Sequence, residues 1–298
     1  MNEVLVGQDA VDSLLGVLDL EQIDTGLYRG PRAEVGLQRV FGGQVAGQAL
    51  VAAGRTVAPE RRVHSLHGYF VRPGDSSKPI LYRVENIRDG RSFSVRRTVA
   101  LQGGRTIFFM SASFHTGEDG LEHGDPAPPD LPDPEDVPTI TERLKADPDR
   151  LGMWARIPRP IDVRYLGGSG YFRSGERPAE SRQRVWMKSD GRLPDDPLIH
   201  VCVLTYASDL TLLDSVLSRH GAVWGSGGYL GTSLDHALWF HRPFRADEWI
   251  LYDASSPAAS GGRGLAQGRF FDRDGLHIAS ATQEGLLRRT PDVPPGVP

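Results

Sequence analysis

Cysteine is almost missing from this 298-residue chain: Cys202 stands alone. A single thiol builds neither a disulfide framework nor a cysteine-rich metal site within one chain, which fits a reducing compartment such as the cytoplasm. Lysine is nearly as scarce, with only Lys78, Lys145 and Lys188, so arginine carries the basic charge. Arginine suits planar recognition of phosphate or carboxylate, but a GC-rich genome is the simpler account of the bias. Excess positive charge is lacking too: 34 basic against 38 acidic residues leave a net charge of −4, and no global field draws in nucleic acid or an anionic membrane. No run reaches the roughly 18 to 20 uninterrupted apolar residues of a membrane helix. The opening MNEVLVGQDAVDSLLGVLDLEQ has no basic stretch ahead of an apolar one, and the far end reads as a flexible polar tail over 291–298 rather than an address signal. What remains, 39% apolar and 24% charged residues, describes an ordinary globular chain long enough for one large or two ordinary domains.

Residues 116–138, TGEDGLEHGDPAPPDLPDPEDVP, are too rich in proline and acid for a ladder or a regular helix and read as a connector. Upstream, Val11, Leu14, Leu15 and Leu18 have helical spacing, and FGGQVAGQALVAAGRTV (41–57) predicts a second helix. Strand-like runs follow at 65–71, 79–87, 92–102 and 106–115, an antiparallel meander joined by RDGR and GGR turns. Downstream the order returns: a helix over roughly 196–219, then strands at 232–244, 248–256, 264–275 and 276–288. Arg72-Pro73 recurs as Arg242-Pro243 and Ile80-Leu81-Tyr82 as Ile250-Leu251-Tyr252, both at an offset of 170; Gly104 and Ile107 recur as Gly275 and Ile278 at 171. A shared register of this kind indicates an internal duplication. Each half is a long helix wrapped by an antiparallel sheet, an α+β arrangement. The expected division is a first repeat over 1–115, the connector over 116–138 and a second repeat over 139–290.

Helix-wrapped sheets duplicated in one chain are the double hotdog, with the two sheets joined into one. The stretches VFGGQVAGQAL, VRPGDSSKPI and ALWFHRPF sit within longer segments covering nearly all of the chain outside the connector and the tail. On these motifs the sequence resembles the acyl-CoA thioesterase II family. The resemblance implies hydrolysis of acyl-CoA to a free acid and CoA, with no metal or organic cofactor, and association into a homo-oligomer. It further implies that a catalytic water is held by an aspartate on the second helix, a hydroxyl opening the next strand and a glutamine on the last strand. Carried over by motif, these are Asp209 in YASDLTLL, Ser233 in TSLDHALWFHRP and Gln283 in SATQEG. Ser233 stands where one branch of the family has threonine; it keeps the hydroxyl but loses the methyl that stiffens the rotamer.

The three residue types suit the chemistry. A thioester carbonyl is already electrophilic, so its hydrolysis needs an oriented water and a proton acceptor more than a covalent nucleophile. Asp209 lies in an apolar run, LTYASDLTLL, where burial raises a carboxylate's pKa toward that of a useful base. A hydroxyl and an amide orient water without adding charge. The backbone N–H groups of Gly42 and Gly43, at a helix start, are candidates for stabilising the oxyanion. A tunnel between helix and sheet, lined by residues such as Leu212, Leu213 and Trp239, would take the acyl chain. His67 is a candidate pocket residue, weighed against a satisfied core histidine. Arg72 and Arg242 are candidates for the CoA phosphates, weighed against a sheet-edge salt bridge.

Blander readings exist for each. Ser208 or Asp209 can simply cap a helix starting near Leu210, and Gln283 aligns with Ala112 of the first repeat, so the fold itself does not require an amide there. No G-x-S-x-G elbow is present; GGSGY at 167–171 comes nearest, and GSGGYLG at 225–231 precedes a strand and reads as a loop. His200 and Cys202, two apart on a helix, point in different directions. His64 and His67, like His236 and His241, are separated by odd numbers on strands and are expected on opposite faces, making no metal site. Two alternatives remain: a hydratase or dehydratase on the same fold, which would want a histidine where Asp214 stands, and a non-catalytic acyl-CoA binding protein.

Overall fold

The computed structural model describes residues 4–31, 39–145, 157–167, 182–225 and 227–291. All of the tail expected at 291–298 but Pro291, and most of GGSGY, therefore lie outside the described residues. Helices α1 (Gly7–Leu18), α2 (Gly42–Gly54), α3 (Ile140–Arg143), α4 (Pro197–Ser208) and α5 (Asp214–His220) pack against one sheet. Its strands are β1 (Glu21–Asp24), β2 (Leu27–Gly30), β3 (Arg62–Phe70), β4 (Ile80–Asp89), β5 (Phe93–Gln102), β6 (Arg105–His115), β7 (Ile161–Tyr165), β8 (Arg182–Ser189), β9 (Tyr229–Ser233), β10 (Asp235–Phe240), β11 (Ile250–Ser260), β12 (Arg263–Phe271) and β13 (His277–Arg289). The order is β1-β2-β4-β5-β6-β3-β10-β13-β12-β11-β8-β7, with β9 pairing beside β10 on β13. The fold is thus the expected double hotdog. The repeats join where β3 meets β10 antiparallel, with Leu66 opposite Leu238 and Gly68 opposite His236. Within the first meander, β3 pairs with β6 rather than with the next strand in sequence, β4.

The repeat seen in sequence is repeated in hydrogen bonds. Val71 and Arg72 N–H both donate to Ile107 O, and His241 and Arg242 N–H both donate to Ile278 O. Arg72 Nη1 donates to Thr106 O at 2.8 Å and Arg242 Nη1 to His277 O at 2.7 Å. These side chains hold the start of a neighbouring strand, and among the described residues they do not make the sheet-edge salt bridge weighed for them.

Helices α2 and α4 run antiparallel in contact, and glycine sets their distance. A Cβ on Gly43 would stand 2.4 Å from Tyr206 O, one on Gly47 3.3 Å from Cys202 O, and one on Gly54 2.5 Å from Leu198 Cδ2. This close approach explains why α2 is rich in small residues: side chains of ordinary size would push its backbone away from α4. The ends of the pair consequently meet, the start of α2 against the end of α4.

Two expected elements differ. The helix expected over 196–219 breaks in two, α4 opening on an Asp196 cap with Pro197 at its first position and ending at Asp209. Ser208 Oγ donates to Thr205 O at 2.9 Å, and Leu210 N–H to Ala207 O at 3.1 Å, a tightened last turn. Asp209 is therefore the C-cap of α4, not the N-cap of a helix at Leu210. The strand expected over 232–244 divides into β9 and β10.

The connector is also more than a spacer. Its segment 123–137 lies on the outer face of the second repeat's sheet. Trp186 Nε1 donates to Pro132 O at 3.1 Å, Trp249 Nε1 to Glu135 Oε1 at 3.1 Å, and Arg242 Nη2 to His123 O at 3.0 Å. Val137, Trp186, Trp249, Leu251 and Phe271 form a small apolar cluster beneath it. Nearby, Asp253 is fully buried among Arg182, Arg184 and Arg269 at 2.7 to 3.2 Å, and Arg269 reaches Asp125 of the connector. Removing the cations would leave a buried charge unpaired, which costs several kcal/mol.

Candidate active site

At the junction of α2 and α4, Asp209 receives two hydrogen bonds on one oxygen. Gln283 Nε2 donates to Oδ1 at 2.5 Å and Ser233 Oγ donates to it at 3.1 Å. The groups come from the end of α4, the end of β9 and the middle of β13. β9 reaches the site because it pairs with β13, Ser233 standing opposite Gly285. The structure therefore gathers the three residues that were far apart in sequence.

The other carboxylate oxygen faces the start of α2. A Cβ on Gly42 would lie 2.6 Å from Asp209 Oδ2 and 3.0 Å from the Phe70 ring, so only glycine admits the carboxylate here. Gly43 N–H donates to the same carboxylate. At least one of the expected oxyanion donors is therefore engaged with the carboxylate itself. Burial raises the Asp209 pKa to about 6, and the bonds from Gln283, Ser233 and Gly43 pull against that rise without cancelling it. Asp209 is half-buried as a residue, with Phe70 beside it at Gly42 and the Phe41 and Tyr206 rings edge to face next to Gly43. Gln283 is fully buried, and its Oε1 has no partner among the described residues. With Nε2 committed to Asp209, Oε1 is a free acceptor.

Other expected residues lie elsewhere. His67 is exposed on the outer face of the sheet, its ring 5.0 Å from that of Trp239. It is not a core histidine. Trp239 cannot line a channel beneath α4: His236, Leu238 and Phe240 of β10 are buried, and the alternation of a strand puts Trp239 on the opposite side. His64 joins His67 on the outer face, bonding Ser113 Oγ at 2.8 Å, because a bulge between Val63 and Ser65 shifts the alternation. Leu212 is buried; Leu213 packs over Gly285, where a Cβ would come within 2.5 Å of it. Asp214 is buried and bonded by Tyr165 OH at 2.8 Å and by Trp224 Nε1.

Two contacts escaped the sequence reading. Ser208, next to the carboxylate, is bonded to His236 Nε2 at 2.7 Å, and its carbonyl accepts from Tyr252 OH at 3.4 Å. The repeat offset carried the signal for His236, since the position 170 residues earlier is Leu66.

Comparison with known proteins identifies the family. A family model described as Acyl-CoA thioesterase matches residues 171–286, and one described as Acyl-CoA thioesterase N-terminal domain matches 29–115. The chain is 41% identical to Acyl-CoA thioesterase 2 of Haemophilus influenzae, over 94% of this chain and 98% of that one. It is 40% identical to human Acyl-coenzyme A thioesterase 8, over 93% and 89%. The crystal structure of an acyl-CoA thioesterase II, TesB2, from Mycobacterium marinum superimposes with a TM-score of 0.75 at 43% identity, covering 95% of this chain and all of that one. Fold, paired repeats and sequence likeness together place this chain in the acyl-CoA thioesterase II family.

Proposed function

We propose that this chain hydrolyses acyl-CoA, with Asp209 as the general base. The observation that carries the reading is the convergence of Gln283 and Ser233 on one oxygen of a carboxylate whose pKa burial raises to about 6. At neutral pH that group is ionised yet basic enough to take a proton. In the proposed step, Asp209 removes a proton from water while the water oxygen bonds to the thioester carbon. The tetrahedral intermediate collapses with cleavage of the carbon–sulfur bond, and the Asp209 proton passes to the CoA sulfur. Ser233 and Gln283 fix the carboxylate's rotation, and Gln283 Oε1 accepts from the attacking water. First-turn N–H groups of α2 other than that of Gly43 serve the developing oxyanion. The acyl chain runs beneath α4 toward a small cavity bounded by Val203, Leu204, Ala207, Met187 and Ile250.

No cofactor enters this scheme. The hydratase alternative has nothing to favour it, since Asp214 is tied to Tyr165 and Trp224. The wider reading keeps two repeats, 1–115 and 139–290, in a cytoplasmic homo-oligomer; among the described residues no helix is long and apolar enough to cross a membrane. Light scattering checks the assembly. Free-thiol release across a panel of acyl-CoAs tests activity and chain length together. In that assay Asp209→Asn lowers kcat by about 10²-fold or more while acyl-CoA binding persists; retained turnover overturns Asp209 as base.

A further inference from the structure

We infer that His236 is a positioning residue for the Asp209 carboxylate, acting through the Ser208 hydroxyl. The inference rests on the reading of Asp209 as base. His236 and Ser208 are both buried, His236 reaching the end of α4 from β10. Ser208 Oγ carries one hydrogen, which it gives to Thr205 O at 2.9 Å. Towards His236 Nε2, at 2.7 Å, the oxygen then accepts, an assignment favoured because the reverse would bury an Nδ1–H with no acceptor among the described residues. This fixes the neutral Nε2–H tautomer and leaves Nδ1 as a lone pair without a partner among the described residues. A buried, half-satisfied imidazole is costly compared with an apolar side chain of similar size.

The first repeat shows that the fold does not need it. Leu66, 170 residues before His236, fills the matching place on β3. The last residue of α2 is Gly54 where α4 has Ser208, and the following residue is Arg55 where α4 is followed by Asp209. The repeat without the carboxylate thus has leucine in place of the histidine, and its helix-end hydroxyl, Thr56, which bonds back to Ala53 O, accepts from Arg96 Nε instead; the repeat with the carboxylate has the histidine–serine pair. What the pair does is geometric. The turn after Ser208 must leave the helix so that Asp209 meets Ser233 and Gln283, and the last carbonyls of α4 would otherwise relax toward other partners. His236 and Thr205 pin Ser208 from two sides, and the residue that follows inherits the fixed direction.

The test is a cycle of His236→Leu, Ser208→Ala and the double variant, with His236→Gln, whose amide can replace the Nε2–H donor, and Asp209→Asn as reference. Expected are a kcat lowered about tenfold or more in each single variant and KM within about threefold. The double variant falls no further than the worse single one, and His236→Gln recovers most of the loss. A kcat within about twofold of the parent in Ser208→Ala, additive losses, or no recovery with glutamine each overturn the inference. Should His236→Leu fail to fold, Ser208→Ala and His236→Gln still decide it. Loss of turnover in Asp209→Asn without loss in the others removes only this inference, whereas retained turnover in Asp209→Asn removes the assignment of the base.

Discussion

At the scale of the residue, Asp209 links activity and stability through one ionisation. Only its charged form accepts a proton, so kcat/KM should rise with pH through about 6 and level off above it. Its pKa is raised on folding, so the charge costs stability: nothing below about 4, where both folded and unfolded carboxyls are protonated, then increasingly to a plateau above about 6. The full cost is up to about 3 kcal/mol. Asp209→Asn should accordingly gain more in Tm at pH 8 than at pH 4, as read by thermal melts; an equal change at both would place the carboxylate in a wetter setting. Gly42→Ala puts a methyl 2.6 Å from Oδ2. It should lower kcat at least tenfold with little change in Tm, because carboxylate and Phe70 ring can both swing aside.

The elements show which parts of this were legible. The repeat, both central helices and the main strands follow from periodicity and from the offset of 170, and Asp209, Ser233 and Gln283 follow from motif. Strands β1, β2, β7 and β8 were not read, nor was the break at Asp209, because a side chain bonding back to its own helix leaves no mark in hydrophobic spacing. His67 and Trp239 were misplaced since alternation gives faces but not which face carries the helices, and the bulge at His64 reverses even that. Helix contact gives a further expectation. Gly43 abuts the backbone oxygen of Tyr206, which cannot swing away; Gly43→Ala should cost about 1 to 3 kcal/mol of stability, measured by urea melts, in contrast to Gly42→Ala. Arg242 holds His277 O and His123 O, so Arg242→Ala should lower Tm while leaving KM for acyl-CoA within about twofold. A large rise in KM would restore it to CoA binding.

On the scale of the whole molecule, the duplication has two ends and one chemistry. By helix end, Ser208 and Asp209 match Gly54 and Arg55 of the first repeat; by the repeat offset, Ser233, His236 and Gln283 match Val63, Leu66 and Ala112. Arg55 there donates to Leu20 O and to Asp19 Oδ1, tying α2 to the end of α1. Calorimetric titration of Asp209→Asn with a long-chain acyl-CoA should therefore give one site per chain; two would show that the second junction also binds.

The antiparallel contact of α2 with α4 means that the wall facing the carboxylate is inherited from the half that contributes no reacting group. The other junction, where Arg55 holds Leu20 O and Asp19, is a clamp, so the two ends of one duplicated fold do different work. The site is consequently built from both halves, and a change at the head of α2 is felt at the carboxylate that α4 carries.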